Sequence, residues 1–485
     1  MHRKFLLSAA AAAILTGLGA FADAQNTALD GQVLYYGFTR IDPDNRTVTP
    51  DSYILVEDGR IADVGAGPRP AGDFATEYDL SGTYALPGFV DAHAHITAGP
   101  HSIEMVDGAP LITIESQPHI TEIHARMALA FGVTSVRNPG GDPEANADYD
   151  RRIASGEWAG PDAVHAGAVI QPPPMGGSAF AYPEGREAWM AEAERQASLG
   201  MRYFKLYHGL TEEELALGIE AAHAHGMEAI AHLDEVSWQT AADLGMDGLL
   251  HALPTSSQLI EPERREEYLA SRGPDTRFMY RWFEYADIDG PILQRLIRTL
   301  AERQIEVDLT LLVNAIVYSE DPFAEFTPEE DLRYFHPETL EAALQFAELG
   351  RIGWTEEDYV RAEAARENVY AFVRSLHAAG VPLLIGTDGN GGAPSYVLEL
   401  LQHEAAGLER WDVLRLATSA SADGIGMDTT GRLMPGYEAD IVFLNANPLN
   451  DLGHARDVHT VVTNGQAFTF EDLTVAPPQT QPTED

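Results

Sequence analysis

No cysteine occurs among the 485 residues of the chain. That absence excludes disulfide bonds, thiolate nucleophiles and thiolate metal ligands. Lysine is nearly absent as well, since Lys4 and Lys205 are the only two in the sequence. The other 29 residues of the lysine and arginine total of 31 are arginine. A metal site in this protein must therefore use nitrogen and oxygen ligands, and chemistry that needs a primary side-chain amine falls to one of two residues.

Positive charge is scarce in general. Lysine and arginine total 31 against 75 aspartates and glutamates, a formal net charge of −44. The acidic residues are spread along the chain rather than collected in a tail, which indicates a solvated acidic surface. Such a surface repels nucleic acid and anionic lipid, and we expect neither as a partner. A small-molecule substrate and a homo-oligomer are both compatible with this composition.

The N-terminal segment has the pattern of a secretory signal. Arg3 and Lys4 precede an apolar stretch over 5–21, and an A-x-A cleavage motif follows at 22–24. The alternative, a membrane anchor, is disfavoured because the stretch is short for a span and is interrupted by polar residues and glycine. We expect a signal peptide over 1–24 and a secreted protein of the periplasm or the extracellular space.

The two flanks of the remaining chain have β patterns. Short alternating apolar runs continue to about residue 85, and Asp58-Gly59 between two of them is a strong hairpin signal. Similar runs return in the last part of the chain. We expect a small β-sandwich domain formed by residues 25–85 together with 430–475. A tail over 476–485, rich in proline and acidic residues, is expected to be disordered.

The middle of the chain, residues 86–429, alternates apolar runs with amphipathic helical stretches, the pattern of βα units around a parallel sheet. The expected fold class is therefore α/β, a (β/α)8 TIM barrel with catalytic groups at the carboxyl ends of its strands. The polar segment 254–290 is too long for a simple loop and is either a lid or substrate-binding excursion, or a surface insertion. The eight candidate strands are 89–95, 134–137, 163–168, 202–207, 228–232, 248–251, 307–312 and 381–387.

The first of these strands ends in an H-x-H motif, His93 and His95. Side chains two residues apart on a strand face the same side, so the two imidazoles can bind one metal together. The apolar residues 86–90 lead into the motif, and we expect them to be buried. A lone H-x-H is a weak signal, and this one gains weight from its place at the end of a buried strand.

Four further candidates end later strands. Lys205 lies in an apolar strand, and a position that keeps lysine while arginine serves elsewhere indicates amine chemistry, because lysine can lose its proton and react. His232 and His251 end two successive strands, a spacing that favours metal ligands. Asp388 follows the last strand, where a carboxylate needs a cation or hydrogen-bond donors. Imidazole and carboxylate ligands suit zinc, with manganese, cobalt and iron as alternatives.

As a set, these motifs resemble the amidohydrolase superfamily and, within it, the imidazolonepropionase-like and Xaa-Pro dipeptidase-like branch. The resemblance implies a centre of two divalent metals. It assigns His93 and His95 to the more buried metal, His232 and His251 to the second, and a carboxylated Lys205 to the bridge between them. Asp388 is then both a ligand and the proton shuttle. The motifs that carry the resemblance are Val56–Ile61, Pro87-Gly88, His93-x-His95, Lys205, His232, His251, Gly386-Thr387-Asp388 and Ala439-Asp440.

The reaction implied is attack of a metal-activated hydroxide on an amide carbonyl. Dipeptides and N-acyl amino acids are the leading substrates. The same hydroxide attacks lactones and phosphotriesters, so those activities stay open. A one-metal cyclic-amide hydrolase or deaminase is disfavoured, since a bridging lysine has no role beside a single metal. A non-catalytic secreted binding protein is disfavoured because all six ligands are present.

Three more side chains are candidates for substrate contact. Tyr207 and His208 directly follow the lysine strand and can stabilise an oxyanion, although Tyr207 is equally consistent with packing. Arg137, at the end of the second strand, can meet a substrate carboxylate. Asn138 stands where related sequences often have aspartate, which leaves the role of that loop open.

Overall fold

The computed structural model describes residues 31–106, 109–273, 275–326, 329–389 and 394–474. The expected signal peptide and tail lie outside these ranges. The strands are β1 (Val33–Asp42), β2 (Thr47–Glu57), β3 (Arg60–Ala66), β4 (Thr76–Asp79), β5 (Tyr84–Pro87), β6 (Phe89–Asp91), β7 (His101–Val106), β8 (Ala109–Ile114), β9 (Val133–Asn138), β10 (Asp162–His165), β11 (Val169–Ile170), β12 (Met175–Gly176), β13 (Phe180–Ala181), β14 (Tyr203–Leu206), β15 (Glu228–Ala231), β16 (Gly248–Leu250), β17 (Glu306–Asp308), β18 (Leu383–Leu384), β19 (Ile441–Leu444), β20 (Val458–Thr463) and β21 (Gln466–Thr469).

Helices follow most of the central strands, which confirms the α/β class. They are α1 (Pro118–Ala130), α2 (Pro143–Ala154), α3 (Arg186–Ser198), α4 (Glu212–Ala224), α5 (Trp238–Leu244), α6 (Pro262–Ser271), α7 (Phe278–Tyr285), α8 (Pro291–Arg303), α9 (Leu311–Tyr318), α10 (Pro322–Phe326), α11 (Pro337–Gly350), α12 (Glu356–Ala378), α13 (Pro394–Ala405), α14 (Arg410–Arg415), α15 (Ser421–Gly424) and α16 (Phe470–Thr474). In the described part of the chain, none of these helices is long and apolar enough to cross a bilayer.

Strands from the two flanks pair in one sheet of eight strands. Its order is β21-β20-β19-β5-β1-β2-β3, with β4 beside β1, and β19 runs antiparallel to β5. The Asp58-Gly59 hairpin is present between β2 and β3, and both residues have the positive φ angles that its tight turn requires (50° and 74°). The two flanks therefore meet in space, while their arrangement as a separate sandwich domain stays a prediction.

Eight central strands pair in parallel, in the order in which they occur along the chain. One sheet contains β6, β9 and β10, and another runs from β14 through β15, β16 and β17 to β18. Isolated bridges connect the two sheets at both ends, from Ala166 to Tyr203 and from Ala94 to Gly389. Ala92 N also donates to Ile385 O over 2.8 Å. All eight predicted strands thus have a counterpart in the structure.

Most of the predicted strands are shorter than expected, and the seventh shows a physical reason. The candidate 307–312 continues as a strand only to Asp308, and α9 begins at Leu311. Between them Thr310 adopts a left-handed conformation with φ of 41°. A β-branched residue rarely takes this conformation, so its presence turns the chain sharply from strand into helix.

The long segment 254–290 folds into helices rather than a loop. It contains α6 and α7, and α7 packs against α12. Trp282 is fully buried and donates its indole N–H to Ser256 O over 3.0 Å. Its buried aromatic residues make this segment part of the core of the molecule.

Candidate metal centre

The six predicted ligands all lie at the carboxyl ends of parallel strands. This placement follows from the strand pattern, because parallel strands bring their carboxyl ends to one edge of a sheet. The strand and ligand pairs are β6 with His93 and His95, β14 with Lys205, β15 with His232, β16 with His251 and β18 with Asp388.

Three of these residues form a compact group of donor atoms. Oδ1 of Asp388 lies 3.0 Å from Nε2 of His93 and 3.3 Å from Nε2 of His95. One ligand atom from each residue can be chosen so that all lie within 4.8 Å of one another. Burial opposes ionisation of Asp388, but the imidazoles of His93 and His251 outweigh it and hold the pKa of that carboxyl well below its usual range. Asp388 is therefore an anion at neutral pH.

Hydrogen bonds orient both imidazoles of the H-x-H motif. Nδ1 of His93 lies 2.6 Å from Oδ2 of Asp308, and Nδ1 of His95 lies 3.0 Å from Gly140 O. When Nδ1–H donates in this way, the lone pair of Nε2 is left free for a metal. Nε2 of His93 is buried without a hydrogen-bond partner and lies beside the carboxylate of Asp388. The geometry thus aims an unsatisfied nitrogen into the centre.

Asp91 connects this motif to the end of the last strand. Its Oδ1 accepts hydrogen bonds from His93 N at 3.1 Å and Thr387 N at 3.0 Å, and its Oδ2 accepts one from Thr387 Oγ1 at 2.8 Å. Asp388 N in turn donates to His93 O over 2.8 Å. The first and last strands of the series are therefore fixed to each other beside the ligands.

His232 and His251 lie on the other side of Asp388. Their ring centres are 4.5 Å apart, and that of His251 is 4.9 Å from that of His93. Nδ1 of His251 lies 2.7 Å from Thr310 Oγ1 and 3.7 Å from Asp388 Oδ2. Nδ1 of His232 is buried with no hydrogen-bond partner.

Lys205 is buried among these groups, with a relative exposure of 1%. Burial lowers the pKa of its amine to about 7, although the carboxylates of Asp388 and Asp308 act in the opposite direction. Its Nζ is 5.3 Å from the ring centre of Tyr207. A large share of this amine is neutral near pH 7, which is the form that can react.

The donor set fits a divalent metal. Two buried imidazole nitrogens, Nε2 of His93 and Nδ1 of His232, lack hydrogen bonds, and a buried polar atom without a partner is costly unless something else satisfies it. The surrounding ligands are imidazole and carboxylate, which zinc and similar cations accept.

Tyr207 and His208 lie next to the second pair of histidines. The ring centre of Tyr207 is 4.7 Å from that of His232, and the ring of His208 is further away at 5.9 Å. Burial raises the pKa of Tyr207 above its ordinary value, so its hydroxyl keeps its proton. Nε2 of His208 lies 3.2 Å from Nε2 of Gln171. The ring of Tyr207 is thus the nearer of the two to the candidate ligand His232.

Arg137 occupies a different place from the one expected. Its side chain is fully buried, its Nε donates to Ala92 O over 2.8 Å, and its guanidinium pairs with Glu306 and with Asp308. No part of it is exposed to meet a substrate carboxylate. Arg137 instead forms an ion pair with Asp308, the carboxylate that orients His93.

Three supporting residues were not predicted. Asp308 orients His93, Thr310 contacts His251, and Glu399 holds the turn between β17 and α9 by accepting from Leu311 N at 2.8 Å and Leu312 N at 2.6 Å. A carboxylate at the N-terminus of a helix is favourable, and here it also secures the strained Thr310. Asp308 lies inside the seventh candidate strand, 307–312, and an acidic residue within that apolar run was the signal available in the sequence.

Similarity to known proteins agrees with this architecture. A model of the amidohydrolase family matches residues 322–468, which include Asp388 but none of the other predicted ligands. Ochratoxinase of Aspergillus niger is 28% identical over 102 residues, 21% of this chain and 21% of that protein. Imidazolonepropionase of Saccharopolyspora erythraea is 32% identical over 142 residues, 25% of this chain and 36% of that protein. The matched segments thus span about a fifth to a third of these relatives.

The fold likeness extends much further along the chain. The crystal structure of an Xaa-Pro dipeptidase with bound methionine superposes with a TM-score of 0.64 at 18% identity and covers 90% of this chain and 100% of that one. The fold, the candidate ligands at the strand ends and the sequence similarity together define an α/β protein with a candidate metal centre. The family match, the relatives and the shared fold support the resemblance of this chain to the amidohydrolase superfamily, whose members generally use divalent metal ions.

Proposed function

We propose that this protein is a metal-dependent hydrolase of amide bonds, with dipeptides and N-acyl amino acids as its leading substrates. The observation that carries the proposal is the convergence of six ligand-type side chains on one site, with buried imidazole nitrogens of His93 and His232 left without hydrogen bonds. The Xaa-Pro dipeptidase with a similar fold supports a peptide-like substrate. We also propose that the chain is secreted, on the strength of its N-terminal pattern.

The scaffold of this function is inferred to be a closed (β/α)8 barrel. Eight parallel strands follow in chain order, and the bridges of Ala166 with Tyr203 and of Ala94 with Gly389 lie where the ring would close. The sheet built from both flanks would form the second, smaller domain. A barrel of this kind presents its ligands at one face, as the six side chains do here.

Two metals are assigned to the centre. His93 and His95 would hold one, His232 and His251 the other, and Asp388 would contact the first. Lys205, neutral in part at pH 7, can add carbon dioxide through Nζ and release a proton to water, and the resulting carbamate anion would be a ligand shared by the two metals. Bound there, the metals would lower the pKa of a water molecule and polarise the substrate carbonyl.

The protein's own side chains then move the proton and bind the developing charge. Asp388, ionised and adjacent to both pairs of histidines, accepts the proton of the attacking water and returns it to the leaving nitrogen. The protonated hydroxyl of Tyr207 donates a hydrogen bond to the oxyanion. Asp308 and Thr310 keep His93 and His251 in their orientations during the reaction.

The test combines metal analysis with a substrate screen. Gently purified protein should contain close to two divalent ions per chain and should hydrolyse members of a panel of dipeptides and N-acyl amino acids. The panel also contains lactones and phosphotriesters, which the same chemistry attacks. A metal content at or below one, not raised by zinc or manganese with bicarbonate, would contradict the two-metal centre. Turnover of esters alone would contradict the amide assignment.

A further inference from the structure

A cavity of about 240 Å³ lies directly beside the candidate metal centre. The segment Thr387–Gly389 forms one side of it, so the cavity is continuous with the carboxylate of Asp388. Side chains from α9, α10, α11 and α13 form most of the remaining wall. The large apolar ones are Leu312, Ile316, Phe326, Phe335, Leu340 and Leu398.

The described lining offers no positive charge. It contains no lysine or arginine, and Asp388 and His124 are its ionisable groups. His124 lies within 3.3 Å of Ile96 O through Nδ1 and within 3.4 Å of Thr339 Oγ1 through Nε2. Burial lowers the pKa of His124 to about 4, so it faces the cavity as a neutral ring. An anionic group that entered this space would lose its water without gaining a cation from the described wall, and the carboxylate of Asp388 is already engaged by the histidines of the candidate metal centre.

The position of the cavity places it next to the leaving group of the proposed substrate. Asp388 returns its proton to the leaving nitrogen, so the substituent on that nitrogen lies on the Asp388 side of the centre. Pockets for drug-sized ligands are roughly 300–1,000 Å³, which makes this cavity suitable for one portion of a substrate rather than the whole. The portion it suits is a single large side chain.

We propose that the leaving amino acid of the substrate carries a large, uncharged, apolar side chain, aromatic or branched aliphatic, which occupies this cavity. The inference rests on the proposed amide hydrolase activity and names the substrate class of that site. The α-carboxylate of such a leaving group would point away from the cavity, whose described wall has no cation for it.

A matched series of N-acetyl amino acids tests this with the metal-loaded enzyme. The series consists of the phenylalanine, leucine, glycine, lysine and aspartate compounds, compared by kcat/KM. Burying a large apolar side chain should favour the phenylalanine and leucine compounds over glycine by about 10- to 100-fold. The lysine and aspartate compounds should be no better than glycine. Equal rates, or a preference for a charged side chain, would overturn the inference while leaving the amidohydrolase proposal standing. A lack of hydrolysis of every amide tested would instead remove the proposed function.

Two substitutions on α11 locate the effect. Leu340 lines the cavity, whereas Leu344, one turn further along the same helix, is 39% exposed and does not line it. Leu340→Arg should lower kcat/KM for the phenylalanine compound at least tenfold and raise the rate of the aspartate compound relative to it. Leu344→Arg should leave both values unchanged. If Leu340→Arg does not fold, Leu340→Ala serves in its place and should lower the phenylalanine-to-glycine ratio severalfold. An unchanged ratio in a folded, metal-loaded Leu340 variant would overturn the assignment of the cavity.

Discussion

The two halves of the candidate metal centre are supported in different ways. The first half consists of His93, His95 and Asp388, and the second of Lys205, His232 and His251. In the first half both imidazoles have a hydrogen-bond acceptor behind them, a carboxylate for His93 and a backbone carbonyl for His95. In the second half the imidazole of His251 contacts the hydroxyl of Thr310, whereas Nδ1 of His232 is buried with no hydrogen-bond partner.

For the proposed two-metal centre, this difference predicts unequal metal affinities. A carboxylate behind a metal-bound histidine fixes its orientation and raises its basicity. The first half therefore has a prebuilt site that also includes the anionic Asp388. The second half has two neutral imidazoles and a buried amine, and it gains a negative charge only if Lys205 becomes a carbamate. The second metal should accordingly depend on Lys205, and the first should not.

Replacement of Lys205 is the change with the largest expected effect. Neither Lys205→Ala nor Lys205→Arg can form a carbamate, so both variants should lose the second metal and nearly all activity while keeping the first. Metal content per chain and kcat/KM are the two measurements. Acetate or propionate, supplied to the alanine variant with excess metal, should restore part of both by occupying the bridge.

A matched control for Lys205→Arg is the reverse exchange at an exposed site. Arg151→Lys, on a side chain that is 58% exposed, should be nearly silent, within about 0.5 kcal/mol in stability. Full activity and two metals in Lys205→Arg would show that the carbamate model is wrong.

Asp388→Asn tests the residue that faces both halves. The amide keeps the size of the side chain but cannot accept and return a proton, so kcat should fall about 10²-fold or more. Much of the metal should remain, because His93 and His95 keep their own supports. Near-normal turnover with the metals in place would assign proton transfer to another group.

Asp308→Asn and Thr310→Val separate the supports of the two halves. Asp308→Asn weakens the acceptor behind His93 and should reduce affinity for the first metal by about 10- to 100-fold, the usual range for such outer contacts. Thr310→Val removes the contact to His251 and should affect the second metal alone. The measurement is metal affinity by competition with a chelator. Equal losses at both sites in either variant would contradict the division into two halves.

The positions of the six candidate ligands could be predicted from the sequence because each of them follows an apolar strand. His93, Lys205, His232, His251 and Asp388 are local signals, since an apolar run followed by a ligand-type side chain is visible within a few residues. The order of the strands follows from the same alternation of runs and helices. The local pattern shows where each strand ends. Because the carboxyl ends of parallel strands lie at the same edge of a sheet, the side chains at these ends are expected to lie close together.

The supporting residues depend on contacts between distant parts of the chain. Asp308 and His93 are 215 residues apart in sequence, and Glu306 and Arg137 are 169 apart. Arg137 ends its strand like the ligands do, yet it points to buried carboxylates rather than to the substrate side. A sequence pattern gives the position of a side chain along a strand but not the partner that it meets across the fold. The early end of β17 at Asp308 could not be predicted either, because it depends on the left-handed φ angle of Thr310.

The pH dependence of amine labelling at Lys205 tests whether the amine of the second half is buried and partly neutral near pH 7. In metal-free protein, burial lowers the pKa of this amine to about 7. A lysine reacts with acylating reagents only when neutral, and an ordinary lysine has a pKa near 10.4. Labelling corrected for the intrinsic reactivity of the reagent should therefore rise about tenfold for each pH unit below 7 and level off above it. The Lys205 peptide gives a distinct readout by mass spectrometry, since Lys4 is the other lysine of the chain.

The labelling of metal-free protein is compared with that of protein loaded with metal in the presence of bicarbonate. The carbamate nitrogen is no longer a nucleophilic amine, so labelling of Lys205 should be suppressed at every pH until the metal is removed. Reagent access is checked by a small and a large acylating compound, which should give the same midpoint if protonation and not entry controls the reaction. A midpoint near pH 10 would place the amine in water rather than in the buried site. Equal labelling with and without metal and bicarbonate would leave the second half with a free lysine and no bridge.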